Sequence, residues 1–261
     1  MAISSVVIIG SGNVAEGFAR ALHQRGVELR QIFARNVERG CAVARIAECE
    51  WSDDPTRLAV ADLYLVAVSD SAITPLLASL PIPESAVVAH TAGSQPLVAI
   101  PARFENRAVL YPLQTFTAGR EVDFSEIPLF VEAANEELLA EIKAVAAKLS
   151  CTVIEADSNM RSQAHLAGVV VCNFVNHLYA TGAGIVQGAG LDFATLSPLI
   201  AETARKAVDS GNPSAVQTGP AKRNDRVTID RHLGMLAEEP ELQDIYKKLS
   251  QNIWKETSKR D

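Results

Sequence analysis

Residues 6–22 read VVIIGSGNVAEGFARAL. Four branched apolar residues run into two glycines, and the apolar positions then fall four apart at Val14, Phe18 and Leu22. The continuous run fits a strand buried on both faces. The spacing of four fits one face of a helix. Between them Gly10, Gly12 and Ala15 make G-x-G-x-x-A, at a turn from strand to helix. In that setting Gly10 permits the tight turn, Gly12 lets a pyrophosphate approach the backbone, and Ala15 lets helix and strand pack closely. The helix N-terminus adds free N–H groups and partial positive charge. Gly10, Ser11, Gly12, Asn13, Val14 and Ala15 are therefore expected to hold a dinucleotide; the alternative is a bare structural turn.

The pattern outside this stretch repeats the unit. Strand-like runs recur at 28–34, 63–68, 86–90, 108–111, 127–132 and 151–155, and helical patterns at 36–47, up to about residue 80, and at 135–149. Asn36 is placed to cap its helix. Alternation of this kind implies a parallel sheet with helices on both faces. After Asp157 the strands stop: 158–188 reads as one long helix and 193–209 as a second, and a Gly/Pro-bearing loop precedes helices near 226–237 and 240–256. The expected architecture is α/β, a Rossmann-type doubly wound, mostly parallel sheet over residues 1–156, followed by an all-α domain over 157–261.

Composition narrows the class. The 261 residues are 48% apolar, enough for a sizeable core, and carry a net charge of −7. Lysine and arginine are scattered, which argues against a nucleic-acid or anionic-membrane partner. Four cysteines lack metal-type spacing, so no metal is expected, and they read as reduced thiols. The apolar run at 6–9 is too short for a signal peptide, and the longest apolar window, 166–175, is about half a membrane span. A cytoplasmic protein is expected.

The second strand ends in IFARN, with Arg35 where an NAD-type site carries an acid. A guanidinium suits a 2′-phosphate, so Arg35 and Asn36 favour NADP(H) over NAD(H). Other strand ends are polar: Ser69 and Asp70; His90 and Thr91 through Ser94; and YPLQTF, with Gln114. Ligands of doubly wound sheets bind beyond such ends. Helix capping or a loop turn are the plainer readings of the first two. The long helix carries His165, Cys172 and Asn176 near one face, and Asn173 and His177 on a neighbouring stripe. So apolar a helix is expected at the centre of its domain, its polar groups bonding other helices or facing the cleft. On the second reading His165, or His90, supplies the proton that accompanies hydride delivery, beside Asn173. In TGPAKRND, Arg223 can bind an anionic substrate group or pair with Asp225 or Asp230.

GSGNVA, SDSA, HTAGS, YPLQTF, HLAGVVVCNF and TGPAKRND together resemble the bacterial NADP oxidoreductases that join a Rossmann-like domain to a helical domain of unknown function. More distantly the chain resembles the 6-phosphogluconate dehydrogenase and pyrroline-5-carboxylate reductase superfamily and the deazaflavin-dependent NADP oxidoreductases. The resemblance covers nearly the whole chain. It implies NADP(H), a helical domain like the C-terminal domain of 6-phosphogluconate dehydrogenase, and a homodimer through that domain. Hydroxyacid dehydrogenases of the superfamily use a lysine and an asparagine on the long helix; here it offers His165 and Asn173 and no lysine. The expected activity is hydride transfer between NADPH and a small carbonyl or imine. A cofactor-binding sensor or assembly protein without turnover and a deazaflavin-dependent reductase are the alternatives.

Overall fold

The computed structural model describes residues 3–259. Strand β1 (Ser5–Ile9) is buried along its whole length and leads into helix α1 (Asn13–Gln24). β2 (Glu28–Phe33) and α2 (Val37–Ile46) repeat the unit. There follow β3 (Glu50–Ser52), β4 (Leu63–Val66), α3 (Ile73–Ser79), β5 (Val87–His90) and β6 (Arg107–Pro112). β7 (Leu129–Ala133), α4 (Glu136–Leu149) and β8 (Val153–Glu155) close the series. The strands form one sheet in the order β3-β2-β1-β4-β5-β6-β7-β8. The chain moves outward from β1 to β3 and then returns to the other side of β1. This reversal opens a crevice beyond the carboxyl ends of β1 and β4.

The pleat sorts the core into two layers, because successive strand residues face opposite ways. Val6, Ile8, Leu63 and Leu65 meet Phe18 and Leu22 of α1, Val43 of α2 and Ile142 of α4. Val7, Ile9, Tyr64 and Val66 meet Ile73 and Leu77 of α3 on the other face. Each such side chain contributes about 1.5–3 kcal/mol when fully buried. The sheet is parallel except between β6 and β7. No α-helix joins those two, so no crossover returns the chain to its starting edge, and β7 doubles back antiparallel. β3 was not expected; Glu-Trp-Ser has no apolar run to announce it.

Strands end at Glu155. Helix α5 (Ser158–Gly168) is capped by Asp157, which accepts the Met160 N–H at 2.7 Å. It continues through a π-helical stretch, Val169–Phe174, into α6 (Val175–Gly188). One compact unit runs to His177, and a second, helical one begins at Leu178 and contains α7 (Ser197–Ser210), α8 (Arg226–Met235) and α9 (Pro240–Thr257).

The long helix departs from expectation in two ways. At 31 residues, Ser158–Gly188, it is long and apolar enough to cross a membrane by length and composition, although its uninterrupted apolar window is short. It is also not a covered core helix: Leu166, Val170, Val171, Phe174 and Ile185 are exposed, and α6 to α9 contain no buried residue. The four cysteines are free thiols. Cys151 is exposed, and burial pushes the Cys49 thiol up to about 11.

At the opposite edge of the sheet Asp62 fastens the start of β1. One carboxylate oxygen accepts from the Ser4 N–H and Oγ at 2.9 and 2.7 Å, and from the Ser5 N–H and Oγ at 2.9 Å each. Hydrogen bonds from Ser4, then from Ser5, hold this carboxyl well below the usual carboxylate range. A depressed folded-state value means stability that is present above the unfolded-state pKa and lost as pH falls. Asp62→Asn is therefore expected to lower Tm at about pH 6, with the gap from wild type narrowing below about pH 4 as the carboxylate protonates. Thermal melts across that range measure it, and a gap that does not narrow would show that charge is not what matters there.

Candidate active site

The two glycines of the loop after β1 do different things. Gly10 has φ +126°, and its N–H donates to the Phe33 carbonyl at 2.8 Å. A Cβ there would sit 2.2 Å from the Ala67 carbonyl oxygen, so the chain itself demands glycine. Gly12 has an ordinary φ of −74°, and a Cβ on it would meet nothing within 4 Å. No side chain caps α1, so none of its first-turn N–H groups is taken by a side-chain cap. Ala15 is fully buried under the turn. Open space at residue 12, next to an uncapped helix N-terminus, is what a pyrophosphate needs.

Beside it lies a crevice of about 680 Å³, lined among others by Gly10, Ser11, Phe33, Arg35, Asn36 and Ser69. Arg35 is exposed and enters no hydrogen bond or ion pair among the described residues, so its guanidinium is available to a ligand. Asn36 caps α2, accepting the Arg39 N–H at 2.9 Å through Oδ1. Arg39 was missed in the sequence, although it lies one helical turn beyond Arg35. Its Nε donates to the Ser11 carbonyl at 3.3 Å, and its Nη2 pairs at 2.9 Å with buried Glu16, which Arg20 also meets at 3.3 Å. The start of α2 is thereby tied to the phosphate loop. Asn13 ties that loop to the one after β6, donating to the Phe116 carbonyl at 2.9 Å.

The other expected positions divide. Asp70 does not cap a helix; it accepts a hydrogen bond from the Ser94 hydroxyl, with Gln95 Nε2 at 3.4 Å, and so joins the ends of β4 and β5. Ser69 is exposed and makes no cap bond. Thr91 turns inward, its hydroxyl 3.4 Å from the Val66 carbonyl. Gln114 is exposed, and its Oε1 accepts the Thr115 N–H at 2.8 Å.

His90 is engaged by its own loop. It is fully buried; Nδ1 accepts the Ala92 N–H at 3.2 Å, and Nε2 faces the Pro96 carbonyl at 3.3 Å. Desolvation, then the nearby Arg161 charge, depresses its pKa to about 4. Both ring nitrogens are spent on shaping its own loop.

His165 occupies a different setting. Its Nδ1 lies 3.1 Å from the Tyr111 hydroxyl, with the rings edge-on at 5.9 Å. Four residues earlier on α5, Arg161 is buried, paired with Glu132 of β7, and donates to the Gln95 carbonyl at 2.5 Å. Ser158 completes the clamp, bonding Glu132 at 3.0 Å and accepting the Leu97 N–H at 3.1 Å. The HTAGSQP loop is thus fixed from below by α5. Asn173 lies in the π-helical stretch and is exposed. There the i→i+5 bonding breaks the 100°-per-residue count that put Asn173 and His177 on a stripe neighbouring that of His165, Cys172 and Asn176. Arg223 is exposed in the helical unit.

Residues 5–93 match a family model described as NADP oxidoreductase, coenzyme F420-dependent, and residues 127–253 match a domain of unknown function, DUF2520. A structure from Bacteroides fragilis described as a "putative NADP oxidoreductase" is 41% identical, with TM-score 0.91, over 97% of this chain and 98% of that one. The chain belongs to the NADP oxidoreductase family. A Thermotoga maritima protein is 20% identical with TM-score 0.74, covering 98% of this chain and all of its own, 100%. A reductive aminase from Aspergillus terreus, in complex with NADPH and ethyl-5-oxohexanoate, is 16% identical with TM-score 0.70 over 97% and 94% of the two chains. These two show the shared fold. None of the curated proteins is significantly similar to the chain.

NADP(H) is the cofactor of this oxidoreductase family, and the loop fits it: Gly12 leaves the phosphate space open, and Arg35 is free beside the crevice. The glycines give a test in two halves. Gly10→Ala is expected to destabilise the fold by more than about 1 kcal/mol, because φ and space both exclude a side chain. Gly12→Asp should melt close to wild type yet lose NADPH affinity, since its carboxylate would enter the phosphate space. Thermal shift and fluorescence titration separate these outcomes; a Gly12→Asp protein that still binds NADPH would mean the cradle lies elsewhere.

Proposed function

We propose that this NADP oxidoreductase reduces a small carbonyl or imine with NADPH. The observation that carries the reading is the open, uncapped phosphate cradle at Gly12, with the unengaged Arg35 beside it and a histidine–tyrosine pair on the same edge of the sheet. Bound NADPH supplies the hydride, and the protein's part is to bind, orient and manage protons. The backbone at Gly10, Ser11, Gly12, Asn13, Val14 and Ala15 receives the pyrophosphate, and Arg35 meets the 2′-phosphate. Ser69 lines the cofactor crevice, its neighbour Asp70 ties the end of β4 to Ser94, and His90 and Thr91 shape the loop after β5. His165 is the source of the proton, and Gln114 is offered as a substrate contact. Arg35→Ala is expected to weaken NADPH binding roughly 10–100-fold, as loss of a charge-assisted hydrogen bond does, and to leave NADH binding unchanged. Parallel titrations with the two nucleotides measure this. Substrate-dependent NADPH oxidation across carbonyls and imines tests the reaction. A deazaflavin belongs in that panel because the matching family model carries coenzyme F420 in its description. NADPH binding with no oxidation by any of these compounds would leave a cofactor-binding sensor as the better reading.

We further propose that the protein is a homodimer through its long helix, Ser158–Gly188, and the helices that follow it. The helices beyond residue 178 bury no residue of their own, and a unit of that size needs a covered apolar face to stay folded. A second copy suits the exposed Val170, Val171, Phe174 and Ile185 better than lipid does, because the same helical segment carries Arg161, His165, Asn173, Asn176 and His177. Sedimentation is expected to give a dimer in detergent-free buffer, and Phe174→Asp to shift it toward monomer or insolubility. A stable wild-type monomer, or one that requires detergent, would overturn the arrangement.

A further inference from the structure

Tyr111 stands at the carboxyl end of β6, the strand next to β5, on the edge where the glycine loop opens. Its ring is packed among Val109, Phe130 and Ala156, with Leu113 and Ala164 alongside. A hydroxyl in such surroundings needs a polar partner, and His165 Nδ1 is that partner at 3.1 Å. The loop leaving β5 is moulded around the pair. A Cβ at Gly93 would lie 2.7 Å from Tyr111 Cζ and 2.8 Å from His165 Nδ1, so any larger residue would force the two apart.

Several other donors near this edge are committed. His90 uses both ring nitrogens on its own loop, Ser94 bonds Asp70, and Arg161 is held by Glu132 and the Gln95 carbonyl. Resting on the reductase reading above, we propose that the Tyr111 hydroxyl delivers the proton to the substrate heteroatom and that His165 replenishes it. As hydride adds to the carbonyl or imine carbon, the C=O or C=N electron pair moves to oxygen or nitrogen. The Tyr111 O–H bond breaks as the new O–H or N–H bond forms. The phenolate then takes the Nδ1 proton of His165, and Nε2 takes one from water; His165 is half-buried rather than sealed. Burial raises the Tyr111 pKa and the Arg161 charge opposes this, so the hydroxyl stays protonated at neutral pH and is a donor there.

Tyr111→Phe removes one oxygen from a packed ring and should keep the fold, as a melt will verify. Its kcat is expected to fall about 10²–10⁴-fold, with NADPH affinity unchanged. The His165 ring resonances, followed by NMR through a pH titration, should shift in Tyr111→Phe and again in wild type on addition of NADPH. A Tyr111→Phe enzyme with wild-type kcat would overturn the relay and leave the reductase reading standing. His165 resonances that ignore NADPH would place the pair away from the site and also overturn it. A wild type inert toward every carbonyl and imine would remove the reading and the relay together.

Discussion

Three strands meet at one glycine. The Gly10 N–H bonds the end of β2, and its missing side chain is where the carbonyl oxygen of Ala67, just past β4, comes to rest. Because no atom can stand there, β1 turns sharply between its two neighbours and α1 starts directly beneath the crevice. The sheet's change of direction, the open helix terminus and the cleft all depend on that close approach. The two core layers hold it in place, since Ile8 and Ile9 lie on opposite faces of the same strand.

The far side of the cleft is held by charge instead. Buried Arg161 links α5 to β7 through Glu132 and to the β5 loop through the Gln95 carbonyl. An ion pair taken out of water is a weak source of net stability but a strong source of specificity when its hydrogen bonds are directional. Here it sets the height of the loop that carries Gly93, and so the gap in which Tyr111 and His165 meet. Arg39 does similar work on the cofactor side by joining the Ser11 carbonyl to Glu16.

What could be read from the chain was what obeys local rules. Apolar runs marked β1 and β4, a spacing of four marked α1 and α4, and Asn36 marked the start of α2. The glycine motif marked the tight turn from β1 to α1, and the missing acid with Arg35 pointed to NADP(H), the cofactor of the family. Long-range partnerships left no such trace. Arg161 and Glu132 lie 29 positions apart, and Tyr111 and His165 lie 54 apart. Tyr111 was passed over for Gln114 because a tyrosine ending an apolar strand looks like core. The π-helical stretch was invisible because its residues, VVVCNF, carry no local signal for it, and it undid the regular wheel that had put His165, Cys172 and Asn176 on one face.

The reversal at β7 has a consequence for polarity. β7 and β8 run against the other strands, and β8 ends at Glu155, which the register through Val131 and Leu110 sets one step beyond Ile9, Val66 and His90, the last residues of β1, β4 and β5; α5 therefore starts near this edge. Its turns meet the structure in ascending order: Ser158 and Arg161 at Glu132, His165 at Tyr111, and Gly168 beside the side chain of Leu113. A strand running parallel to its neighbours would have carried the chain outward beyond the sheet and sent the next helix back over its face. The inverted strand pair instead delivers the chain inward, so the helix that follows rises past the strand ends and carries an imidazole to the hydroxyl of Tyr111.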